Sequence, residues 1–586
     1  MARLKYNFTW KKYHRWLGLV LSVFMLVFCV SGIILNHREA FSGCEVSRKW
    51  LPASYHIKNF NNGIVKGTVV KNSGSLAISE GFSDSILVYG CAGVFLTDYQ
   101  LSTWQDFNAG LPKSIDERNV RHLVQARDGS LWCAALRDVY RYDENARQWK
   151  KVELPGNEER IMDVALGKNS IQVVALTRSR IFEITPIASN IDVSESPSSL
   201  ASSAKGGVSE KSPDIFEKKS GGFSEKVGTF LGKYRVEAKI ILAPKNYEPK
   251  TTLFKLVWHL HSGEFFGLPG KLVVDAIALV LIVLSITGIL LFILPYGIRR
   301  AKKLAGKARM KRLGKQFAWN MKWHNKIGYV TIVLTLWIAI TGMCLRPPLM
   351  VPLVLSKLPQ AVGEDGNVWQ DKLRAIRWDA VQGDWLVSTS EGFLRVDEDF
   401  SQAPKMLPDD ECPKLSPMGV TVWESDGKGG WIVGSFRGIY RWNPVNHSSN
   451  QILDYFTGKP SVETSMIPIS DNLVCGYSED FLGGKPLVFD FAKGVEDAKG
   501  QAVALCNDEP QKSRNEESMS DLICVTAPMS LWNVALELHV GRCYSPFLGP
   551  LSDLFVFLSG LLITLVLLSG YIISHRRRKK AQARLK

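Results

Sequence analysis

The sequence predicts an α-helical membrane bundle of four spans, arranged as a tandem two-span repeat, plus an all-β extracytoplasmic region, propeller-like and built from two loops. Three observations predict it. Residues 17–35, 276–294, 327–345 and 554–574 are apolar stretches without a single Asp, Glu, Lys, Arg or His. The motifs flanking the first two stretches recur, in order, around the last two. The long segments between stretches one and two, and between three and four, carry Trp- and Gly-rich strand patterns recurring about every 40 residues.

Each apolar stretch has 19–21 residues, enough for roughly 30 Å of helix and one bilayer crossing. Charge orients them. Residues 1–15 hold five basic side chains, residues 297–323 ten and residues 575–586 seven, with no acid in any of the three segments. Those 22 leave 50 Lys and Arg against 56 Asp and Glu elsewhere, so the overall +16 is a topological signal, not a nucleic-acid footprint. Cytoplasmic flanks retain Lys and Arg, which places both termini and 297–323 inside and residues 38–258 and 346–540 outside. The first stretch follows a basic start, but Ser31-Gly32-Ile33-Ile34-Leu35-Asn36 offers no small-residue cleavage pattern, so it reads as an uncleaved anchor.

The organisation follows in chain order. Residues 1–37 are the cytoplasmic start and first span, 38–187 the first β segment, 188–225 a linker, and 226–271 a pre-helix segment with His261. The second span is 272–296, the basic cytoplasmic loop 297–323 and the third span 324–346. The second β segment is 347–530, followed by a pre-helix segment with His539 at 531–552, the fourth span at 553–574 and a basic tail at 575–586.

Within the β segments, Asp128-Gly129-Ser130-Leu131-Trp132-Cys133 leads to Val139-Tyr140-Arg141-Tyr142-Asp143. Gly430-Trp431-Ile432-Val433-Gly434 leads likewise to Gly438-Ile439-Tyr440-Arg441-Trp442, and Gly383-Asp384-Trp385-Leu386-Val387 to Gly392-Phe393-Leu394-Arg395-Val396. Each copy reads as a short strand, a turn and an alternating strand. Weaker copies begin near Ser85, Ser170 and Asn472. The pattern resembles the sensor-type propeller repeats outside some bacterial two-component receptors. About three blades per loop predicts one propeller assembled from both loops, because three blades alone leave sheet faces uncovered; two separate β-sandwiches are the alternative. Residues 188–225 are rich in Ser, Lys, Gly and Glu, and with so few large apolar side chains they read as a flexible linker.

Eight of the ten cysteines, seven within 38–258 and 346–540 and Cys543 just before the fourth span, lie on the outer side, where disulfides are permitted. None forms Cys-x-x-Cys, which leaves zinc ribbons, thioredoxin-like chemistry and covalent c-type haem unsupported. Cys91 and Cys133 fall within strand-like runs, where small buried hydrophobes and bridges are both open readings.

Seven of ten histidines flank spans: His14, His37, His259, His261, His324, His539 and His575. His14-Arg15-Trp16-Leu17-Gly18 corresponds to His324-Asn325-Lys326-Ile327-Gly328, and Leu260-His261-Ser262-Gly263 to Leu538-His539-Val540-Gly541. A lone interfacial histidine beside Lys, Arg and Trp is ordinarily a headgroup-region residue. Four at matched positions of a duplication point to a ligand held between helices, because imidazole suits metals better than lipid. His14 and His37 are 23 residues apart, about 35 Å on a continuous helix, so two sites follow, one per leaflet. A parallel repeat has its twofold axis along the membrane normal. His14 and His324 then grip a planar ligand at the inner side, and His261 and His539 another at the outer side, as facing helices of a bundle hold haem iron. His37 and His575 are reserve ligands. His259 points away from His261, and its repeat equivalent is Glu537, which discounts it. His56, His122 and His447 read as surface or packing residues of the β region. Asp275 and Asp553 read as caps at helix N-termini. Gly32, Gly288, Gly342 and Gly570, each preceded by Ser or Thr, permit close helix approach or room for a macrocycle.

These segments resemble the PepSY-associated transmembrane family: His14-Arg15-Trp16-Leu17-Gly18 with Ser31-Gly32, Asn36-His37-Arg38-Glu39, Leu260-His261-Ser262-Gly263 through Gly267, Thr287-Gly288, and Trp323-His324-Asn325-Lys326-Ile327-Gly328 with Thr341-Gly342. The resemblance covers the spans and their flanks. It implies similarity to haem-containing inner-membrane ferric-siderophore reductases: two haem b groups and no covalent haem, an inner-side electron donor (quinol or reductase), and an outer-side acceptor such as ferric iron in a siderophore or similar chelate. It also implies a bacterial inner-membrane location with two large periplasmic loops, the lipid bilayer as partner and no nucleic acid. Propeller-like repeats stand where PepSY domains would be expected, so the outside loops depart from the family and leave the choice between a siderophore and another chelate open. A non-enzymatic anchored sensor or assembly protein is the alternative, and a transporter a third reading with no evident pathway through four spans.

Overall fold

The computed structural model describes residues 2–71, 85–101, 103–157, 159–186, 229–231, 234–304, 306–360, 366–416, 418–445, 452–460, 473–481, 483–505 and 527–583. The expected linker at 188–225, His447, Cys506 and Cys524 lie outside the described residues.

Among the described residues, three helices are long and apolar enough to cross a membrane: α1 (Ala2–Asn36), α3 (Gly267–Lys303) and α7 (Ser552–Gln582). A fourth crossing requires counting α4 (Lys307–Val330) and α5 (Ile332–Cys344) together, bent by 68° between them. The bend has a local cause. Val330, Thr331 and Ile332 are consecutive β-branched residues, and Thr331 Oγ1 donates back to the Ile327 carbonyl at 2.9 Å, a bond that loosens and bends helices. α1 packs on α3 and α7, and α4 and α5 pack on the same two helices. Ser22, Ser31, Ser285, Thr287, Thr335 and Ser569 are buried in this bundle, whereas Val20, Val23, Leu279 and Leu561 are exposed. Small polar residues inside and large apolar ones outside are the arrangement for helices whose outer face meets lipid.

Two expectations are corrected here. The segment 297–323 is not a loop: α3 continues to Lys303 and α4 resumes at Lys307. Its Lys, Arg and Ala are strong helix formers, and only the short connection around Gly306 interrupts them. Among the described residues, the pre-helix segment carries strands before its helix: Thr229–Leu231 and Tyr234–Lys239 extend a sheet of the first loop, and Lys250–Thr252 follows.

Short amphipathic helices lead into α3 and α7. α2 (Leu253–Ser262) is capped by Thr252 Oγ1 accepting from Lys255 N at 3.2 Å, and α6 (Leu531–His539) by Ser530 Oγ accepting from Asn533 N at 3.2 Å. The matching Gly263 and Gly541 reverse the chain at φ of +80° and +85°, values only glycine adopts without strain.

Among the described residues, six small antiparallel sheets of three or more strands form the β region, three in each loop. Their leading strands are β1 (Gly67–Lys71), β2 (His122–Gln125), β3 (Ile161–Leu166), β4 (Leu373–Asp379), β5 (Val422–Ser425) and β6 (Val474–Ser478). An apolar cluster lies between every consecutive pair of sheets: Leu87 with Leu123, Ala134 with Val164, Leu176 with Ile376, Leu386 with Trp423, and Val422 with Val474. A sixth cluster joins Val88 of the first sheet to Phe489 of the last, so the order of contacts returns on itself. Trp132, Trp385, Trp423 and Trp442 are wholly buried in these clusters, and aromatic burial of this size dominates such small sheets energetically. Two ribbons tie the loops together beside the helices: Glu45–Val46 pairs with Met529–Ser530, and Lys250–Thr252 with Lys357–Pro359. The described cysteines are all free, and Cys133 is buried, which corrects the disulfide alternative for those residues.

Two histidine pairs as a candidate cofactor site

The structure brings the four matched histidines together as two pairs. His14 on α1 faces His324 on α4 with ring centroids 6.5 Å apart and planes at 70°. His261 on α2 faces His539 on α6 at 6.1 Å and 50°. The first pair lies at the end of the bundle away from the β region, the second at the end beside it.

Each ring is seated by the other repeat. His14 Nδ1 lies 2.9 Å from Ser569 Oγ, and His324 Nδ1 2.8 Å from Thr287 Oγ1. His261 Nδ1 lies 3.0 Å from Thr341 Oγ1, and His539 Nδ1 3.0 Å from Ser31 Oγ. All four hydroxyls already donate to carbonyls of their own helices, those of Val566, Val283, Trp337 and Val27. Their oxygens are therefore left to accept from the imidazole. His14 and His539 have a second Nδ1 partner, the carbonyls of Val566 and Phe28, which can only accept. Nδ1 then carries the proton and Nε2 the lone pair, the tautomer a metal ligand needs.

The glycine after each hydroxyl leaves space for the ring. A Cβ added to Gly342 would stand 2.8 Å from His261 Cε1, and one on Gly570 2.9 Å from His14 Cε1. At Gly32 the distance to His539 Cε1 is 3.3 Å, and at Gly288 to His324 Cε1 3.7 Å. Sequence reasoning singled out these Ser/Thr-Gly pairs as room for close approach. It missed that each is the seat of a particular histidine, although the duplication of hydroxyl, glycine and histidine together carried that signal.

The arrangement fits a metal with axial imidazoles. Two metal–nitrogen bonds of about 2 Å each put facing ring centroids roughly 6 Å apart, close to both observed spacings. Among the described residues no group of three or more His, Cys, Asp or Glu could hold a metal ion. Two imidazoles alone cannot satisfy zinc, so a metal held by either pair would need its remaining coordination from a ligand such as a macrocycle. On α1, His14 and Gly32 are 18 residues apart, about 27 Å of helix, which separates the sites.

The reserve histidines join neither pair. His37 Nε2 binds Asp275 Oδ2 at 2.7 Å, and Asn36 Nδ2 donates to Asp275 Oδ1 at 3.1 Å. Asp275 thus ties the end of α1 to the third turn of α3 and is no cap, because α3 begins at Gly267. Asp553 does fall in the first turn of α7. His575 stacks on Tyr329 and Tyr571 with centroids 6.2 and 5.8 Å away. His259 packs against Trp258. His122 proves more than a packing residue: its Nδ1 meets buried Asp163 Oδ1 at 3.1 Å, and Arg377 Nη1 meets Asp163 Oδ2 at 2.6 Å.

Comparison with known proteins gives the doubling independent support. Residues 5–295 and 293–578 each match the family model described as PepSY-associated TM region. No curated protein matches the chain. Among solved structures, the extracellular domain of a one-component system from B. thetaiotaomicron aligns at 8% identity and a TM-score of 0.29, covering 75% of this chain. This chain spans only 39% of that structure's length.

Proposed function

Because the chain belongs to the PepSY-associated TM region family, and so is a membrane protein, we propose that it holds two haem b groups and passes electrons across the bacterial inner membrane to an extracytoplasmic acceptor. The observation that carries this reading is the reciprocal seating of the pairs. His14 and His324, and again His261 and His539, face each other at a spacing suited to one metal, with Nε2 left as the free nitrogen. Haem held by two imidazoles has no open position and supplies one-electron transfer in preference to oxygen chemistry.

The chain's own residues hold and orient the ligands. Ser569 and Thr287 fix the ring planes of His14 and His324, and Thr341 and Ser31 those of His261 and His539. Phe28 packs edge-on against His539 at 5.9 Å and helps to exclude water from that pair. The basic ends of α3, α4 and α7 favour the cytoplasmic side for the His14–His324 pair and for both termini. The six sheets are read as the blades of one propeller over the His261–His539 pair, which supports a docking role for an acceptor such as a ferric chelate. A quinol or a reductase is the donor class at the other end. An anchored sensor would account for the β region but leaves the seated histidines without a role. Absorption spectra of oxidised and dithionite-reduced protein test the reading, and the absence of haem bands after expression with ample haem would overturn it.

A further inference from the structure

A basic cluster occupies the helix-facing end of the β region. Arg38, just beyond α1, forks onto Asp116 with bonds of 2.6 and 2.7 Å. Its guanidinium lies 4.0 Å over the Trp532 ring, and that of Arg160 lies 6.0 Å from the same ring. Arg178 and Lys255 share Asp371 at 2.7 and 2.8 Å, and Arg374 donates to the Asp371 carbonyl at 3.0 Å. Arg121 reaches Met162 Sδ at 3.3 Å. The carboxylates beside these cations include Asp116, Asp371, Asp163 and Glu159, the last bound by Ser179 Oγ at 2.6 Å.

Among the described residues, no carboxylate lies within ion-pair distance of Arg121 or Arg160, and Arg178 Nε is buried without a hydrogen-bond partner. Burial, then the positive charges of Arg178 and Arg38, lowers Arg121 to about 10. Burial and Arg38 lower Arg160 to about 9. Both stay protonated at pH 7, so the repulsion is borne by the folded protein. Half-buried guanidinium groups without counter-charges are costly, and they fit planar oxyanions through paired, charge-assisted hydrogen bonds.

The cluster also has a defined relation to the histidines. Lys255 and His261 share α2, six residues apart, and Trp532 and His539 share α6, seven residues apart. That is about 9–11 Å along each helix.

We propose that Arg121 and Arg160, with Arg38 and Arg178 beside them, bind a small polycarboxylate anion at the helix-facing end of the β region, about two helical turns from the His261–His539 pair. The binding stands without electron transfer; only a role for a ferric chelate of that anion, whose iron would take the electron, rests on the function proposed above. A lipid phosphate shares the oxyanion chemistry, but Arg121 and Arg178 lie at strand ends of the β region rather than on the lipid-facing helices, which favours a soluble ligand.

The test is calorimetry on the purified full-length protein at low salt, with citrate as probe and acetate as the monovalent control. The expected result is citrate binding that outcompetes acetate and weakens with added salt. Arg121→Gln with Arg160→Gln should weaken it by about tenfold or more. The ligand-free double variant should unfold at the same or a higher temperature, because removing the repelling charges relieves strain; a merely structural role would lower it. Haem content is read on the same samples, so loss of the haem reading and loss of the anion reading are separately visible. No citrate heat at millimolar concentration, or unchanged affinity in the double variant, would overturn the proposal. Binding of phosphatidylglycerol in nanodiscs that citrate does not displace would assign the cluster to a headgroup and equally overturn it.

Discussion

A Cβ on Gly342 would stand 2.8 Å from His261 Cε1, so the smallest residue of α5 and the imidazole of α2 occupy adjoining space that a methyl group cannot share. The same relation recurs at Gly570 and His14 at 2.9 Å but relaxes to 3.7 Å at Gly288 and His324. Gly342→Ala should therefore displace His261 and lower haem binding at that pair on the order of tenfold, the scale of other losses of ligand support. Gly570→Ala should do so at the other pair, and Gly288→Ala should be silent. Haem per chain after purification checks all three; equal effects at Gly342 and Gly288 would contradict the seating.

The hydroxyl at each seat fixes the tautomer. Thr341→Val keeps the shape of the side chain but leaves His261 Nδ1 without its partner at 3.0 Å. Outer-shell losses of this kind cost about 10–100-fold in metal affinity. Titration of the purified apoprotein with haem should show that loss for Thr341→Val, and partial recovery for Thr341→Ser.

His37 and His575 were eligible as ligands on sequence position alone, and the structure gives both other partners. His37→Ala should leave haem content and spectrum unchanged. Its pair with Asp275 is partly exposed, so the cost to stability is about 1 kcal/mol or less. Thermal unfolding and absorbance on one sample measure both quantities.

In the β region, removing Asp163 strands the Arg377 guanidinium in a buried site, a loss of about 3–5 kcal/mol. Asp163→Leu should lower the denaturant midpoint accordingly. Burial raises the Asp163 pKa, but Arg377 and the hydrogen bond from His122 outweigh it and hold the carboxyl below its usual value. A depressed native pKa means the contribution is fully present above the unfolded-state value of about 3.9. It is lost as pH falls through the lower native value. Unfolding of wild type and Asp163→Leu should therefore converge in acid.

Much of this was legible in the sequence because two strong physical patterns were written twice. Uncharged runs long enough for a bilayer gave the helices, and matched histidines gave the pairs. The Trp and Gly strand copies placed three sheets in each loop, although the leading strands β1 to β6 were mostly unread, since short half-buried strands without Trp or Gly carry little periodicity. The bend at Thr331 was invisible to hydropathy, which does not register a side-chain bond to a carbonyl. Asp275 looked like a cap because the uncharged run begins just after it, whereas the helix extends back to Gly267 through Lys271 and through Gly270 and Pro269, which read as helix breakers. Which histidine sits on which hydroxyl is a long-range relation, and spacing along one chain could narrow it only to matched ends.

The most direct measurement is haem stoichiometry with the reduced absorption spectrum, compared between wild type and His261→Ala with His539→Ala. The account predicts two haem b per wild-type chain and one in the double variant, with the spectrum of the His14–His324 haem retained. Wild-type protein without haem, or a double variant that keeps both, would contradict it.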